Sequence, residues 1–426
     1  MFHDDMHVVH GRCAGLDVHK AQVTATVRLC AGAGEPVIET REFSALPSGL
    51  DGLVAWLRSH AVEAAAMEGT GVYWRAPWER LTQAGIHAEL FHAQHVKQLK
   101  GRKTDIEDSR WLATICQFGL GRPSLVPQGE FRAARGLSRH RRTLIQERSR
   151  VRNRVQKVID GAGIRIGSIL SDVFGTNGRT ILEGLVAGAS REDILAGLTR
   201  HVAVKIEALG DALSLSLGDW ERTILSDLMD AEGTLNKRIA VVETTLIEGL
   251  APHRRALDIL QTLPGVDAVA AASILAETGP DMSVFGSAHA FTAWAGLSPG
   301  NNESAGKRRS GATRKGAKHL RATLVEAAHA ATRTSHCQFP GYKRAIAARR
   351  GHKRAIIATA HKMARILYVM LRDATPYRDP GTDYEALLVN RNASRWLRQL
   401  ARFGVLQEDR TGVLRVNWDA LRPQAA

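Results

Sequence analysis

Four carboxylates, Asp17, Glu68, Asp105 and Asp108, stand apart from the other acids because each falls where the chain changes element. Asp17 lies in Gly15-Leu16-Asp17-Val18-His19-Lys20, ahead of Val23, Ala25 and Val27 alternating with polar residues, which predicts a strand entering a hairpin. Glu68 closes the run Val62-Glu63-Ala64-Ala65-Ala66-Met67-Glu68 and meets Gly69-Thr70-Gly71, the end of a buried strand at a permissive turn. Asp105 and Asp108 follow Thr104, a candidate N-cap, and precede Trp111, Leu112, Ile115 and Phe118, an apolar helix face. Residues three apart on a helix are neighbours, roughly 5–6 Å between Cβ atoms. Ligands collect at strand ends of α/β sheets. A hard cation such as Mg2+ takes a few carboxylates and keeps positions open for water and phosphate oxygens, and two such ions clamp the attacking and leaving oxygens of phosphoryl transfer. Any one of these acids alone is an ordinary surface residue, as Glu107 in the same segment illustrates. As a set they point to phosphodiester chemistry.

Residues 8–125 must position them. Strands are expected near 12–29, 36–43, 62–68 and 86–91, with helices near 49–60, 74–84, 93–98 and 105–118, a mixed α/β domain. An opening hairpin followed by strand–helix alternation is compatible with an RNase H-like sheet, although periodicity does not choose that fold over other α/β folds. From residue 130 the chain turns helical and Arg-rich, with Leu137, Leu144, Val151 and Val158 seven residues apart. Leu228, Leu235 and Val242 repeat the spacing beside Ile239 and Leu246, so residues 130–252 read as a coiled-coil arm with its tip near 161–200, or as a dimerisation element. Arg139, Arg142, Arg148, Arg150, Arg152 and Arg154 offer it a phosphate-gripping face.

Residues 255–373 read as a mainly helical third domain. Leu260 to Asp267, centred on Leu263-Pro264-Gly265-Val266, resembles a helix–hairpin–helix whose Gly265 turn presents amides to phosphate, a plain helical hairpin being the equal alternative. Residues 298–321 form a basic, Gly-rich loop running into a helix. In it Lys307, Arg308, Arg309, Arg314, Lys315, Lys318 and Arg321 supply countercharge for a nucleic-acid backbone. Ser298, Ser304 and Ser310 each qualify by type as a nucleophile, and chemistry alone does not choose among them. Tyr342 has no Arg/His set at a telling spacing and reads as packing. The extension 376–426 carries a helix around 384–403 and a hairpin turning at 409–412, with no legible role.

A chain of 426 residues implies two or three domains. Lys plus Arg number 58 against 43 for Asp plus Glu, and the resulting +15 favours a polyanionic partner. No long uncharged apolar run and no signal peptide is visible, which predicts a cytoplasmic protein with no membrane partner. Cys13, Cys30, Cys116 and Cys337 form no paired motif, and His87, His92 and His95 lack a zinc-binding spacing. No Walker-type loop is present.

The segments around Asp17, Met67-Glu68-Gly69-Thr70-Gly71-Val72-Tyr73-Trp74 and Lys103 to Ser109 resemble the DEDD insertion-sequence transposases. So do Leu263-Pro264-Gly265-Val266, Ala293-Trp294-Ala295-Gly296-Leu297-Ser298-Pro299 and Ser304-Ala305-Gly306-Lys307-Arg308-Arg309. The likeness covers most of residues 8–373 and extends to the Piv-type invertases. It implies a RuvC-like, RNase H-like domain in which the four acids hold Mg2+, two ions per site, with Mn2+ as a substitute. It also singles out Ser304 as the nucleophile that forms a phosphoserine–DNA intermediate, although many relatives have two serines and two glycines where this chain has Glu303-Ser304-Ala305-Gly306. Donor and target DNA, an element-encoded guide RNA, homodimers or homotetramers and association with the nucleoid follow from the same resemblance. The alternatives are a RuvC-like endonuclease using metal-activated water and a non-catalytic nucleic-acid-binding protein. A DDE-type cut-and-paste transposase fits less well, given the closely spaced Asp105/Asp108 pair.

Overall fold

Alternating small and branched apolar residues build the sheet of the first of two compact units, residues 1–126 and 127–426. The computed structural model describes residues 7–30, 35–69, 71–91, 105–121, 123–127, 129–300, 302–304, 307–310, 312–313, 315–408 and 414–418. In the first unit β1 (Arg12–Val18) turns back as β2 (Gln22–Leu29), with Val18 opposite Val23. β3 (Val37–Ser44) adds antiparallel to β2, and α1 (Pro47–Ser59) crosses to β4 (Ala64–Glu68), which pairs parallel with β1. α2 (Arg75–Gln83) leads to β5 (His87–Phe91), parallel to β4, so the mixed sheet runs β3-β2-β1-β4-β5. The last element is α3 (Asp105–Phe118).

Strand side chains alternate between faces, so each face has its own cover. Leu16, Val18 and Met67 pack with Leu53 and Trp56 of α1 and Trp78 and Leu81 of α2. On the other face Cys13, Ala64 and Ala66 pack beneath Leu112, Ile115 and Cys116 of α3. Ala64, Ala65 and Ala66 are fully buried; only small side chains allow both layers to close so tightly on β4. The helix expected near 93–98, and Thr104, lie outside the described residues.

The second unit is mostly helical. Its longest helices, α4 (Glu130–Gly161) and, after the short α5 (Thr176–Ala187), α6 (Arg191–Ala196) and α7 (Ile206–Ala212), α8 (Asp219–Gly249), pack antiparallel. Arg141 reaches Glu243, Arg148 reaches Asn236 and Arg152 reaches Glu232, a register that descends α8 as it climbs α4. Leu144 is buried against Leu235 and Ile239, and Val155 and Ile159 join the cluster formed with α5 to α8. Leu137, Val151 and Val158 are only half-buried. A straight helix drifts from a strict seven-residue repeat by about 20° per heptad, which carries the contact stripe from Leu144 to Val155.

Much of the arginine face turns inward. Arg152 and Arg179 clasp the buried Glu232 with Asn236. Burial pushes this carboxyl up, but the bonds from Arg179, Arg152 and Asn236 outweigh it and hold the group below the usual carboxylate range. Arg139 makes a two-pronged bond to the buried Glu277, at 2.8 and 2.9 Å. Arg139, Arg148 and Arg152 are thus occupied within the chain, whereas Arg150 and Arg154 are exposed.

Next come α9 (Arg254–Gln261), α10 (Ala268–Thr278), α11 (Ala288–Trp294), β6 (Asn302–Ser304), β7 (Lys307–Ser310), α12 (Lys318–Ala331), α13 (Gln338–Arg350) and α14 (His352–Arg372). Leu260, Leu263, Leu275, Phe291, Leu324, Phe339, Met363 and Leu367 form their core. The apolar stripe of α14 runs through Ile356, Ala360, Met363 and Leu367, one step per helical turn. α15 (Tyr384–Arg402) and the β8 (Leu406–Glu408) and β9 (Leu414–Val416) pair end the described chain, while the turn expected at 409–412 lies outside it. No described helix is long and apolar enough to cross a membrane.

Candidate active site

Gly15 is the residue that locates the acids of the first unit. A Cβ there would lie 2.1 Å from the Ser109 carbonyl oxygen and 2.2 Å from the Ala113 amide nitrogen, so only glycine lets α3 rest its backbone on β1. Asp17 follows Gly15 by two residues on the same strand face, and Asp108 immediately precedes Ser109. The parallel ladder ends at Leu16 opposite Met67, so Asp17 and Glu68 sit side by side one step beyond it. Asp105 opens α3, and its side chain lies outside the described residues. Two strand ends and the first turn of α3 therefore converge on one edge of the sheet.

Within that edge the Asp17 side chain is 17% exposed, with Oδ2 3.0 Å from Nε2 of the more open His19. Glu68 is half-buried and Asp108 exposed. Behind them a hydroxyl ladder fixes the helix: Ser109 Oγ lies 2.8 Å from Thr26 Oγ1, which lies 2.9 Å from Thr40 Oγ1. Thr24 is directly opposite Asp17 and fully buried, and among the described residues its Oγ1 finds no partner. An orphaned hydroxyl costs free energy unless a ligand or an ordered water satisfies it. Carboxylates at an open edge, with a spare hydroxyl behind them, fit a hard divalent cation, and His19 sets a ring nitrogen against Asp17. Among the described residues no group of three His, Cys, Asp or Glu closes on a point by itself.

Close contact at Gly15 gives a direct test. Gly15→Ala must push α3 off β1, an overpacking that costs about 1–3 kcal/mol or more. A lower Tm is expected, together with loss of the activity proposed below, whereas Gly11→Ala, where a Cβ meets nothing within 4 Å, is the neutral control. Equal melting of both variants would show that α3 does not seat on Gly15.

One acid on this face was not legible in the sequence. Glu89 of β5 pairs with Ala66 of β4, two residues before Glu68. Burial pushes its carboxyl up against the opposing pull of His10 and His87. Its only sequence signal is an acid at an inward position of His87-Ala88-Glu89-Leu90-Phe91.

In the second unit the segment expected as a loop folds into a β-hairpin. Ser304 pairs with Lys307 and Glu303 with Arg308, so β6 and β7 are separated by two residues, a spacing suited to tight hairpin turns. The hairpin base is anchored: the Gly300 amide donates to the Ala312 carbonyl at 2.8 Å and Pro299 bridges Thr313. Gly316 packs so closely that a Cβ would lie 2.4 Å from the Trp294 carbonyl oxygen. Ser298 is buried with its hydroxyl 3.1 Å from that of Thr292, which gives it a packing role. Ser304, Lys307, Arg308, Arg309 and Ser310 all lie on the hairpin strands. Arg314 is outside the described residues, Lys315 and Lys318 are exposed, and Arg321 is half-buried.

Gly265 has φ +82°, and a Cβ there would lie 2.3 Å from the Ala327 carbonyl oxygen of α12. Asp267 caps α10 by accepting from the Ala270 amide at 2.7 Å. Close packing alone thus requires this glycine.

A family model described as a transposase, of the IS110 DEDD type, matches residues 14–164. A second, described as "Transposase IS116/IS110/IS902 family", matches residues 257–343. A probable family 20 transposase of Pseudomonas aeruginosa is 27% identical over 327 residues, covering 74% of this chain and 86% of that protein. A putative transposase of Sinorhizobium fredii is 32% identical over 163 residues, 36% of this chain and 42% of its own length. An insertion element IS900 uncharacterized 42 kDa protein of Mycobacterium paratuberculosis is 29% identical over 38% of this chain and 40% of its own. Among solved structures, Thermus thermophilus RuvC is similar over 26% of this chain and 99% of its own at 14% identity, with a TM-score of 0.22. With both models matched in order and a transposase aligned along most of its length, the chain belongs to the IS110-type DEDD transposases.

Proposed function

We propose that the protein recombines DNA by cleaving and rejoining strands through a covalent link to Ser304, with Asp17, Glu68, Asp105 and Asp108 as the metal-holding set. The observation that carries this reading is the register that puts Asp17 beside Glu68 under the first turn of α3. The strand order β3-β2-β1-β4-β5, antiparallel across the first three and parallel beyond, supports an RNase H-like fold for this unit. The acids would hold Mg2+ or Mn2+, two ions per site, and such ions when bound offset charge on phosphate oxygens.

In the exchange itself the Ser304 Oγ bonds to phosphorus as the bond from phosphorus to one deoxyribose oxygen breaks. The serine proton is given up, and the departing oxygen takes one to become a hydroxyl. A hydroxyl of another strand reverses the step, so the phosphodiester is conserved without ATP. Lys307, the cross-strand neighbour of Ser304, with Arg308 and Arg309 brings positive charge to the attacked phosphate. Gly265, Arg314, Lys315, Lys318 and Arg321 would contribute further backbone contacts. Partners are donor and target DNA and an element-encoded guide RNA, engaged by a homodimer or homotetramer, and the +15 charge suits both nucleic acids.

The test combines the protein, RNA transcribed from the element's flanks, labelled donor and target duplexes and Mg2+. Joined donor–target strands are expected, lost with EDTA and restored by Mg2+ or Mn2+. Hydrolysed ends without joined strands would replace recombination by a metal-dependent nuclease.

A further inference from the structure

The extension beyond α14 closes one side of a cavity of about 650 Å3, within the roughly 300–1,000 Å3 of small-ligand sites. Three of the chain's five tyrosines, Tyr342, Tyr377 and Tyr384, line it. Lys362, Arg365 and Arg378 supply its charge, and no Asp or Glu is among the described lining residues. Tyr342 comes from α13 and Lys362 and Arg365 from α14, whereas Tyr377, Arg378 and Tyr384 come from the extension and the start of α15.

The cationic and aromatic groups are joined. The Lys362 ammonium lies 4.6 Å from the centre of the Tyr342 ring and 4.7 Å from that of Tyr384. It donates to Gln338 Oε1 and the Tyr384 hydroxyl, which occupies two of its three N–H groups. Two acids flank the lining: Asp379, which accepts from the Tyr377 hydroxyl and the Gln338 and Gly381 amides and also feels the Lys362 charge, and Asp383, which accepts from the Ala386 amide. Burial pushes the Tyr342 phenol up, with Tyr384 adding to the effect, so that phenol stays neutral. Burial, with Arg365 and His289, lowers His361 and favours its neutral form. The positive charge thus rests on Lys362 and the exposed Arg365 and Arg378, beside three aromatic rings.

Cations against aromatic rings in a concavity suit a ligand that is both anionic and planar. A duplex keeps its base faces in the stack and offers a surface only base edges and backbone, so an unpaired base is needed to lay a face on these rings. We propose that this cavity takes one nucleotide of a single-stranded nucleic acid, its base against the tyrosine rings and its phosphate against Arg365, Arg378 and the remaining Lys362 donor. The inference rests on the nucleic-acid-handling reading above but needs neither Ser304 nor the metal site.

Its test is binding by the full chain without divalent metal, so that a failure of strand chemistry is read separately. Fluorescence anisotropy is followed with short single-stranded DNA, single-stranded RNA of the same sequence, and the corresponding duplex. The Arg365→Gln/Arg378→Gln variant, altered at exposed positions, and Tyr342→Leu should each weaken single-strand binding about tenfold or more while duplex binding stays within about twofold. Preference for RNA or DNA names the strand that fills the site. Unchanged single-strand affinity, or an equal loss on the duplex, would overturn the proposal. Independently of variant folding, photocrosslinking of wild-type protein to oligonucleotides carrying 4-thiouridine or 5-iododeoxyuridine should label peptides within residues 338–384. Labels confined to other regions would also overturn it.

Discussion

Asp17→Asn is expected to lower strand cleavage by at least about 10³-fold while nucleic-acid binding is retained. The substitution keeps the side chain's size and a partner for His19, whose Nε2 is 3.0 Å from Oδ2, but removes the charge a hard cation needs. It leaves the seat of α3 on Gly15 untouched. A readout independent of activity is available, because a ligand that binds only the folded state raises stability. Mg2+ or Mn2+ should therefore raise the Tm of the wild type and not of Asp17→Asn. If the variant cleaves at the wild-type rate, or responds equally to the ions, the acids are ordinary surface groups and the non-catalytic reading gains.

Ser304→Ala is expected to abolish strand joining and every covalent protein–DNA product, while metal-dependent stabilisation of the first unit persists. Loss of a nucleophile that forms a covalent intermediate removes the pathway itself, and effects of about 10³-fold or larger are normal. The fold should tolerate the change, since the hairpin is anchored through Pro299, Gly300, Thr313 and Gly316, remote from the two-residue connection after Ser304. Ser298→Ala separates position from chemistry. Ser298 is buried on Thr292, so its alanine variant should lose some stability and keep the covalent product. Joined strands formed by Ser304→Ala would remove the serine from the reaction.

The first unit was legible because its elements follow simple periodicities. Val23, Ala25 and Val27 alternate, and β2 spans Gln22–Leu29; Trp111, Leu112 and Ile115 recur helically, and α3 spans Asp105–Phe118. What periodicity did not convey is contact between elements. Gly15 was visible as a residue beside Asp17, but only the backbone of α3 above it explains why a glycine stands there. In the sequence the arginines of α4 read as a phosphate-gripping face, because the partners of Arg152 and Arg139, Glu232 on α8 and Glu277 at the end of α10, are 80 and 138 residues away. The segment around Ser304 reads as a loop in the sequence because its glycines and charges hide two very short strands, paired through backbone that composition does not reveal. The tyrosine–lysine cavity was illegible for the same reason, as Tyr342, Lys362 and Tyr384 belong to three helices and meet only after packing.

The most direct measurement is the chemical identity of the protein–DNA link. Wild-type protein is allowed to react with donor and target DNA, RNA and Mg2+, denatured, and digested with nuclease and protease before peptide mass spectrometry. A nucleotide phosphate attached to Ser304 is the expected result, absent from Asp17→Asn and Ser304→Ala. Cleaved, unjoined DNA from the wild type with no modified peptide, or a nucleotide attached to another residue, would contradict the account.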